Sequence, residues 1–351
     1  MNLQKFDFNL PAELIATRPV KPRSSARLLV ADRHRIVDSR VADLPKFLNP
    51  GDRLVLNDTR VLPTRMNGRR KRVTASDTTY AKVEVTLIDH IGEREWHALM
   101  KPLKKIRVGE SIYFSSKYSA RVKEVMAGKA LLEFNCSGKD FDSLLRDCGM
   151  MPLPPYIQSR RKVDQQDLVD YQSVFARHSG AVAAPTASLH FDQELLTNLQ
   201  TQGVEISFVT LHVGAGTFLP LSSEQISKRK MYSEWGNISE QAAEEIMQTK
   251  SAGNRIIPVG TTALRLIETV GHDGIVRPWS GKTRIFISPG FKFRVADALM
   301  TNFHLPQSSL IVLVCALMGR RRLFGIYDHA TNSGYRFFSY GDSSLLCPNG
   351  L

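Results

Sequence analysis

Apolar positions fall into two textures along this chain, changing near residue 61 and changing back near residue 152. Before the first change, Arg27 to Ala31 and Ile36 to Val41 are short Leu/Val/Ile-rich runs. The polar turn Asp32 to Arg35 separates them, which predicts a strand pair. Asp43 is placed to cap a short helix, Asn49-Pro50-Gly51-Asp52 is a turn, and Leu54 to Leu56 is a strand ending at Asn57-Asp58-Thr59-Arg60. From Val61 to Phe134 the runs Val83 to Ile88, Trp96 to Met100, Ser111 to Phe114, Arg121 to Val125 and Ala130 to Phe134 follow without a long helix between them. Closely spaced strands of this kind predict a small module, a barrel or a sandwich. Lys139 to Cys148 has helical spacing and stops at Gly149, and Pro152, Pro154 and Pro155 form a stiff link back.

Beyond the prolines, strands alternate with helices. A buried Ala/Val strand is expected before Pro185, which has no N–H to give a sheet. Helices are expected from Asp192 to Thr201, Ser239 to Ser251, Thr261 or Thr262 to Thr269, and Ser308 to Met318. Strands are expected at Val204 to His212, Ile256 to Val259, Ile285 to Ser288 and Phe337 to Tyr340. The alternation predicts an α/β fold with a mainly parallel sheet covered by helices. The expected domains are an α/β catalytic domain, 1–60 and 152–351, and an inserted small β-barrel-like domain, 61–151.

At 351 residues the chain exceeds what one core usually supports. The longest apolar run, Leu310 to Met318, is far short of the roughly 20 residues a bilayer crossing needs. Met1 to Leu10 lacks the basic start and apolar stretch of a signal peptide, so a cytoplasmic protein away from membranes is expected. Cys136, Cys148, Cys315 and Cys347 have neither metal nor redox spacing, so no metal site is expected. Charge changes the picture more. The net charge is +13, and Arg18 to Arg72 alone holds 15 Lys/Arg against 5 Asp and no Glu. Such a stripe attracts polyanions. Smaller basic clusters lie at Lys101 to Arg107, Lys228 to Lys230 and Arg320 to Arg322.

Candidate chemistry concentrates in three loops, each just beyond the carboxyl end of an expected strand: PTASLH (Pro185 to His190), HVGAGTF (His212 to Phe218) and GTTALR (Gly260 to Arg265). Open α/β sheets bind ligands at that edge. His190 and His212 can transfer protons near neutral pH. Gly214, Gly216 and Gly260 let backbone approach a ligand. Asp58 and Arg60 sit at a fourth strand end. A dinucleotide fingerprint fails, because Leu219 stands where the third glycine belongs.

The segments AVAAPTASLHF (181–191), LHVGAGTFLP (211–220), VGTTALR (259–265), TNFHLPQSSL (301–310) and YRFFSYGD (335–342) closely resemble the S-adenosylmethionine:tRNA ribosyltransferase-isomerase family of queuosine biosynthesis. SSARLLV (24–30), LVLNDTRVLPTR (54–65), EWHALMKPLKKIRVG (95–109) and PLPPYI (152–157) extend the resemblance over nearly the whole chain. The family pattern has an acidic-Pro pair where this chain has His178-Ser179, a glycine at Ser188, and Ser-Val at Ala263-Leu264. The resemblance implies that the ribosyl group of S-adenosylmethionine is moved onto the 7-aminomethyl-7-deazaguanine wobble base of tRNA and rearranged to epoxyqueuosine. Adenine and methionine leave, and no cofactor is permanently bound.

For such chemistry His190 or His212 is the expected base at the ribose C5′, with His304 or Asp58 assisting adenine departure or orienting the ribose. Thr186, Thr261 and Thr262 are candidates for the ribose hydroxyls or the methionine carboxylate, and Arg60, Lys101 and Arg265 for that carboxylate or the tRNA backbone. Asn302, Gly214 and Gly216 belong to the same expected cofactor-substrate site, with Asp342 facing the sulfonium or the amine and Tyr340 stacking a base or the cation. Arg23, Arg27, Arg65, Arg69, Arg70, Lys71, Arg72, Arg320, Arg321 and Arg322 are expected to grip tRNA phosphates, on a monomer. A methyltransferase using the same co-substrate and a non-catalytic RNA-binding protein are the alternative classes, separated by product analysis.

Overall fold

A computed structural model describes residues 3–73, 78–214, 216, 225 and 230–350. Most of the GAGTFLP loop and Lys228-Arg229 lie outside the described residues. In chain order the strands begin with β1 (Arg27–Ala31), β2 (Ile36–Arg40), β3 (Arg53–Asn57) and β4 (Thr59–Val61). Next come β5 (Arg65–Val73), β6 (Thr78–Gly92), β7 (Glu95–Lys101), β8 (Ser111–Tyr113), β9 (Ser119–Met126), β10 (Lys129–Phe134) and β11 (Gly149–Met150). The last are β12 (His178–Ala181), β13 (Glu205–Leu211), β14 (Glu234–Ile238), β15 (Ile256–Pro258), β16 (Trp279–Thr283), β17 (Leu299–Asn302) and β18 (Ser343–Leu346).

The chain forms two compact units, one of Met1–Arg60, Asp170–Ser179 and Ala184–Leu351, the other of Val61–Val169 and Gly180–Ala183. In the second unit β5, β6, β7, β10, β9 and β8 pair in that order, and β8 pairs back onto β5, closing a six-stranded antiparallel barrel. Closure removes the sheet edges that would otherwise invite other strands. The alternation read from the sequence supplies the inside: Val83, Val85, Leu87, Ala98, Met100, Val122, Ala130 and Leu132 are buried in one cluster. The helix Gly138–Cys148 adds Phe141, Leu144 and Leu145 to it, with Phe141 stacked on Trp96 at 5.2 Å.

The first unit carries helices and two mixed sheets, so the expectation of a mainly parallel sheet is corrected. In the five-stranded sheet β15, β3 and β13 are parallel, but β14 and β16 continue it antiparallel. In the other, β1 is parallel to β18 and antiparallel to β2, and β17 is antiparallel to β18. The antiparallel members escaped the sequence because they are half-polar: β14 reads Glu-Trp-Gly-Asn-Ile and alternates buried with less buried positions. One face in water is what an antiparallel edge allows and a covered parallel strand does not.

Further corrections are local. The strand near Ile285 lies instead at β16, and Ile285 N–H is turned onto the Thr283 hydroxyl at 3.2 Å. Phe337 to Tyr340 is not a strand, since Phe338 has φ +76° and the last strand is β18. The strand expected before Pro185 ends at Ala181, with Ala184 buried in the turn that follows it. Neither Thr261 nor Thr262 caps its helix. Gly260, at φ +89°, occupies that position, a conformation that L side chains rarely adopt. By contrast Asp192 and Ser308 cap as the pattern requires, accepting Leu195 N–H at 2.9 Å and Ile311 N–H at 3.3 Å. The helix Arg320–Asn332 was not expected and places Leu323, Ile326, Tyr327 and Ala330 in the core.

One feature positions the chemistry. A parallel bridge joins Val259 to Met300, and Gly260 N–H donates to Met300 O at 2.7 Å, so β17 runs beside β15. Asn302, Val259, Asn57 and Leu211 therefore end four neighbouring parallel segments on one edge.

Candidate active site

Asn57 staples this edge together. Its Nδ2 donates to Leu211 O at 3.0 Å and to Thr262 Oγ1 at 3.3 Å, while its Oδ1 accepts Leu211 N–H at 3.0 Å and Thr59 N–H at 3.2 Å. The next residue, Asp58, is buried, accepts the Thr210 hydroxyl at 2.7 Å and is approached by His178 Nε2 at 3.5 Å. Burial raises its carboxyl above the ordinary value, partly opposed by Thr210 and His178.

His212 follows the end of β13. Its ring stacks on Trp235 at 4.9 Å, its backbone N–H donates to Trp235 O, and its Nδ1 lies 2.8 Å from Thr59 Oγ1. The Thr59 hydroxyl also lies 3.5 Å from His178 O. A hydroxyl that donates to that carbonyl accepts from Nδ1–H, which leaves the Nε2 lone pair of His212 uncommitted. Burial, with His178 as a lesser cause, holds the imidazole below its ordinary pKa and so neutral at physiological pH.

His190 is placed differently. The Thr186–His190 turn lies beside the strand ends, with Ala187 packed next to Gly260. Asn302 then fixes the imidazole. Its Oδ1 accepts Thr186 O–H at 3.0 Å, and its Nδ2 donates to Phe338 O at 3.2 Å and contacts His190 Nε2 at 3.0 Å. Because Phe338 O requires a donor, Nδ2 faces His190, whose Nε2 accepts and whose proton sits on Nδ1. Burial pushes this histidine down to about 4, and the void beside it, toward Arg23 and Tyr340, is about 10 Å³, room for about one water.

His304, a third candidate, is buried against Thr301 Oγ1 at 3.2 Å, its N–H donates to the Tyr327 hydroxyl at 3.0 Å, and burial pushes it down to about 3. Tyr327, which accepts the His304 backbone N–H, packs in an aromatic cluster with Phe303 and Phe337. Asp342 is buried and holds Arg27 N–H at 3.1 Å and Arg336 N–H at 2.8 Å, so it ties β18 to its neighbours. Tyr340 is buried with its ring edge-on to Tyr171 at 6.0 Å. Thr261 is buried and Thr262 half-buried beside Asn57.

Arg265 is the expected group most suited to an anion. Its Nη1 meets Glu234 Oε2 at 2.5 Å, while Nε and Nη2 are buried without a hydrogen-bond partner. Buried donors without partners are costly, so such a group is held ready for an acceptor. Glu234 Oε1 in turn accepts Gly214 N–H at 3.3 Å. Sequence reasoning missed Glu234, Asn57 and His178. Asn57 stood in the N-D-T-R run, whereas Glu234 lies in a Trp-Gly stretch with no local sign of burial. Gly216 packs against Tyr232, and Arg60 is exposed. Lys101 belongs to the barrel unit, with its side chain 79% exposed.

Of the ten cations expected to grip tRNA, six have partners within the protein. Arg23 donates to Gln172 O at 2.6 Å, and Arg27 donates to Ser333 O at 2.7 Å and lies over the Tyr335 ring. Arg65 pairs with Glu84, and Arg70 is buried on Lys105 O and Glu110. Arg320 donates to Lys5 O and Arg322 to Asp32 O. Arg69, Lys71 and Arg321 are exposed, and the Arg72 side chain lies outside the described residues. Two clefts of small-molecule size, about 430 and 420 Å³, lie elsewhere, around Arg284 and around Lys250. The site is assigned from the converging titratable groups, since volume alone carries no chemistry.

A mixed α/β unit that collects a neutral imidazole, a carboxyl with raised pKa and a buried arginine with unpartnered donors at one strand edge has the equipment of an enzyme that moves protons on an anionic substrate. The family described as queuosine biosynthesis protein matches residues 3–346, and the chain belongs to it. It is 59% identical to the S-adenosylmethionine:tRNA ribosyltransferase-isomerase of Ruegeria sp. strain TM1040 over 349 residues, 99% of this chain and 100% of that one. The enzyme of the same name from Roseobacter denitrificans is 59% identical over 348 residues, 99% of each. The crystal structure of an S-adenosylmethionine tRNA ribosyltransferase from Thermotoga maritima is similar, with TM-score 0.55 and 31% identity over 97% of this chain and 99% of that one.

Proposed function

We propose that the protein transfers the ribosyl group of S-adenosylmethionine to the 7-aminomethyl-7-deazaguanine wobble base of tRNA and rearranges it to epoxyqueuosine, releasing adenine and methionine. The observation that carries this is the 59% identity to ribosyltransferase-isomerases along essentially the whole chain. The strand edge supplies what the reaction demands. The sulfonium acidifies the ribose C5′ hydrogens, so a neutral base must take one. His212 fits that role, because its Nε2 lone pair is uncommitted, while the Nε2 of His190 already accepts from Asn302.

Asp58, kept protonated to higher pH by burial, can deliver a proton as adenine departs. Arg265 is suited to the methionine carboxylate through its two unpartnered donors. His190, with Asn302 and Thr186, orients the loop that borders the ribose. Chemistry on a base requires access, and a wobble nucleotide in a loop is easier to splay out than a duplex base. No cofactor need be resident, because S-adenosylmethionine is consumed. Among the described residues no helix is long and apolar enough to cross a membrane. We place the protein in the cytoplasm with its tRNA, as a monomer.

The test is a mass-spectrometric product assay with S-adenosylmethionine and tRNA bearing the aminomethyl base. Adenine, methionine and epoxyqueuosine are expected. S-adenosylhomocysteine would mean methyl transfer, and bound tRNA without product would mean a protein that only binds RNA.

A further inference from the structure

Four exposed cations without a partner among the described residues gather outside the Arg18 to Arg72 stripe. A cleft of about 430 Å³ opens between β16 and the loop that precedes β17. Lys282 and Arg284 border it from one side and Lys292 and Arg294 from the other, with His272 and Phe291 between. All four Lys/Arg side chains are exposed, and among the described residues none makes an ion pair or hydrogen bond. The one carboxylate in the lining, Glu268, is 1% exposed. It is occupied by the backbone N–H groups of Arg294, Val295 and Ala296 at 2.9 to 3.0 Å, so it pins the loop and leaves its cations unneutralised.

The wall is ordered by hydrogen bonds. Thr269 and Thr283 hydroxyls meet at 2.7 Å, and Thr283 also receives Ile285 N–H. Lys282 and Arg284 flank the buried Thr283, so they project to the same side, roughly 7 Å apart along an extended chain. Cations strung along a strand suit a repeating anion better than one small ion, which needs donors that converge. Phe291, half-buried and edge-on to Phe293 at 5.1 Å, adds an aromatic surface beside them. The cleft lies at the C-terminal end of the helix Thr261–Val270, whose other end meets the active-site edge, a separation of about 15 Å for ten residues.

We propose that this cleft docks the phosphodiester backbone of the RNA substrate while the modified base occupies the strand edge. The inference rests on the tRNA-modifying function proposed above. It is tested with the full chain by measuring tRNA affinity across a salt series for wild type and for Lys282→Gln/Arg284→Gln/Lys292→Gln. The triple variant is expected to bind tRNA at least ~10-fold more weakly near physiological salt. The slope of log affinity against log salt should become shallower by about 2–3, with S-adenosylmethionine affinity unchanged.

The charge-keeping variant Lys282→Arg/Arg284→Lys/Lys292→Arg should bind as wild type. Neutralising Lys117, Lys123 and Lys139 on the barrel unit, an equal change in net charge, should alter the slope by less than 1. The inference is overturned if the triple variant keeps its affinity and slope, if the barrel variant loses as much, or if inorganic phosphate at matched ionic strength displaces the tRNA. Product formation by wild type is read in parallel. Product with an unaffected triple variant sinks the cleft alone, whereas no product with weakened binding sinks ribosyl transfer and keeps the cleft.

Discussion

Two histidines lie at one strand edge, His212 just past β13 and His190 against Asn302 at the end of β17, and their surroundings make them different chemical objects. His190 is 5% exposed, and its Nε2 accepts from an amide whose orientation is fixed by Thr186 and Phe338. His212 is half-buried against Trp235, and only its Nδ1 is engaged. The difference teaches that a histidine at a ligand-binding edge is not thereby a base. A base must present a lone pair, and the tautomer set by the other nitrogen decides whether it does. The largest expected effect follows. His212→Gln should lower kcat by about 10²–10⁴-fold in a protein that folds normally. His190→Gln should lower the unfolding midpoint more than kcat, because it disturbs the partner of a buried amide. Equal losses of kcat at equal stability in the two variants would reverse the assignment.

The second effect is on stability and has a defined sign. Burial pushes His190 down to about 4 and His304 to about 3, below the ordinary value near 6.5. The unfolded chain therefore binds more protons than the folded one in that range. The neutral histidines contribute stability that is fully present above about pH 6.5 and is lost as pH falls toward 4 and 3, at up to about 1.4 kcal/mol per unit for each group. Urea midpoints between pH 7 and 4 should fall, and His304→Gln should flatten the fall. A profile that is level down to pH 5 would show that neither ring is buried neutral. His212, half-buried, should add little to this loss.

A smaller effect distinguishes Asp58. If its carboxyl delivers a proton to adenine, activity falls as pH rises through its raised pKa, and Asp58→Asn removes that alkaline limb while lowering the maximum by about 10–10²-fold. An unchanged pH profile in the variant would leave Asp58 as a purely structural partner of Thr210.

Much of this site was legible in the chain. Three of the four loops at this edge, those after Asn57, Leu211 and Val259, were named from strand runs followed by polar, Gly or Thr residues, because short-range turn chemistry is written locally. Asp192 and Ser308 announced their helices for the same reason. What escaped depends on partners distant in sequence. Glu234 is 31 residues from the Arg265 it holds. Arg70 looked like a phosphate ligand in a run of four cations, yet its neighbour across the barrel is Glu110, 40 residues on. A charge count sees side chains but not their partners, so it could not separate Arg23, Arg27 and Arg70, which are engaged within the protein, from exposed Arg69 and Lys71, nor single out the four cations around Phe291. The antiparallel strands β14 and β16 were missed because half-polar strands resemble loops.

The smallest effect is the sharpest test of the comparison. Thr186 contributes one hydroxyl, 3.0 Å from Asn302 Oδ1, and touches no titratable group directly. Replacing it by Val keeps its shape and removes the donor, at a cost of about 1 kcal/mol in stability. The larger consequence is loss of one of the two contacts that orient the amide. A flipped Asn302 would turn its oxygen toward His190 Nε2 and toward Phe338 O, and a carbonyl facing a carbonyl is unfavourable. The Phe338 contact at 3.2 Å therefore resists the flip, and the tautomer of His190 should survive in most molecules. Nitrogen chemical shifts of the imidazole should report Nδ1–H in the wild type and a mixture richer in Nε2–H in Thr186→Val, with Thr186→Ser restoring the wild-type pattern. A few-fold decrease in turnover should accompany the mixture. If His190 were the base, moving its proton to Nε2 would free the Nδ1 lone pair and raise turnover instead, so the direction of this small change decides between the two histidines.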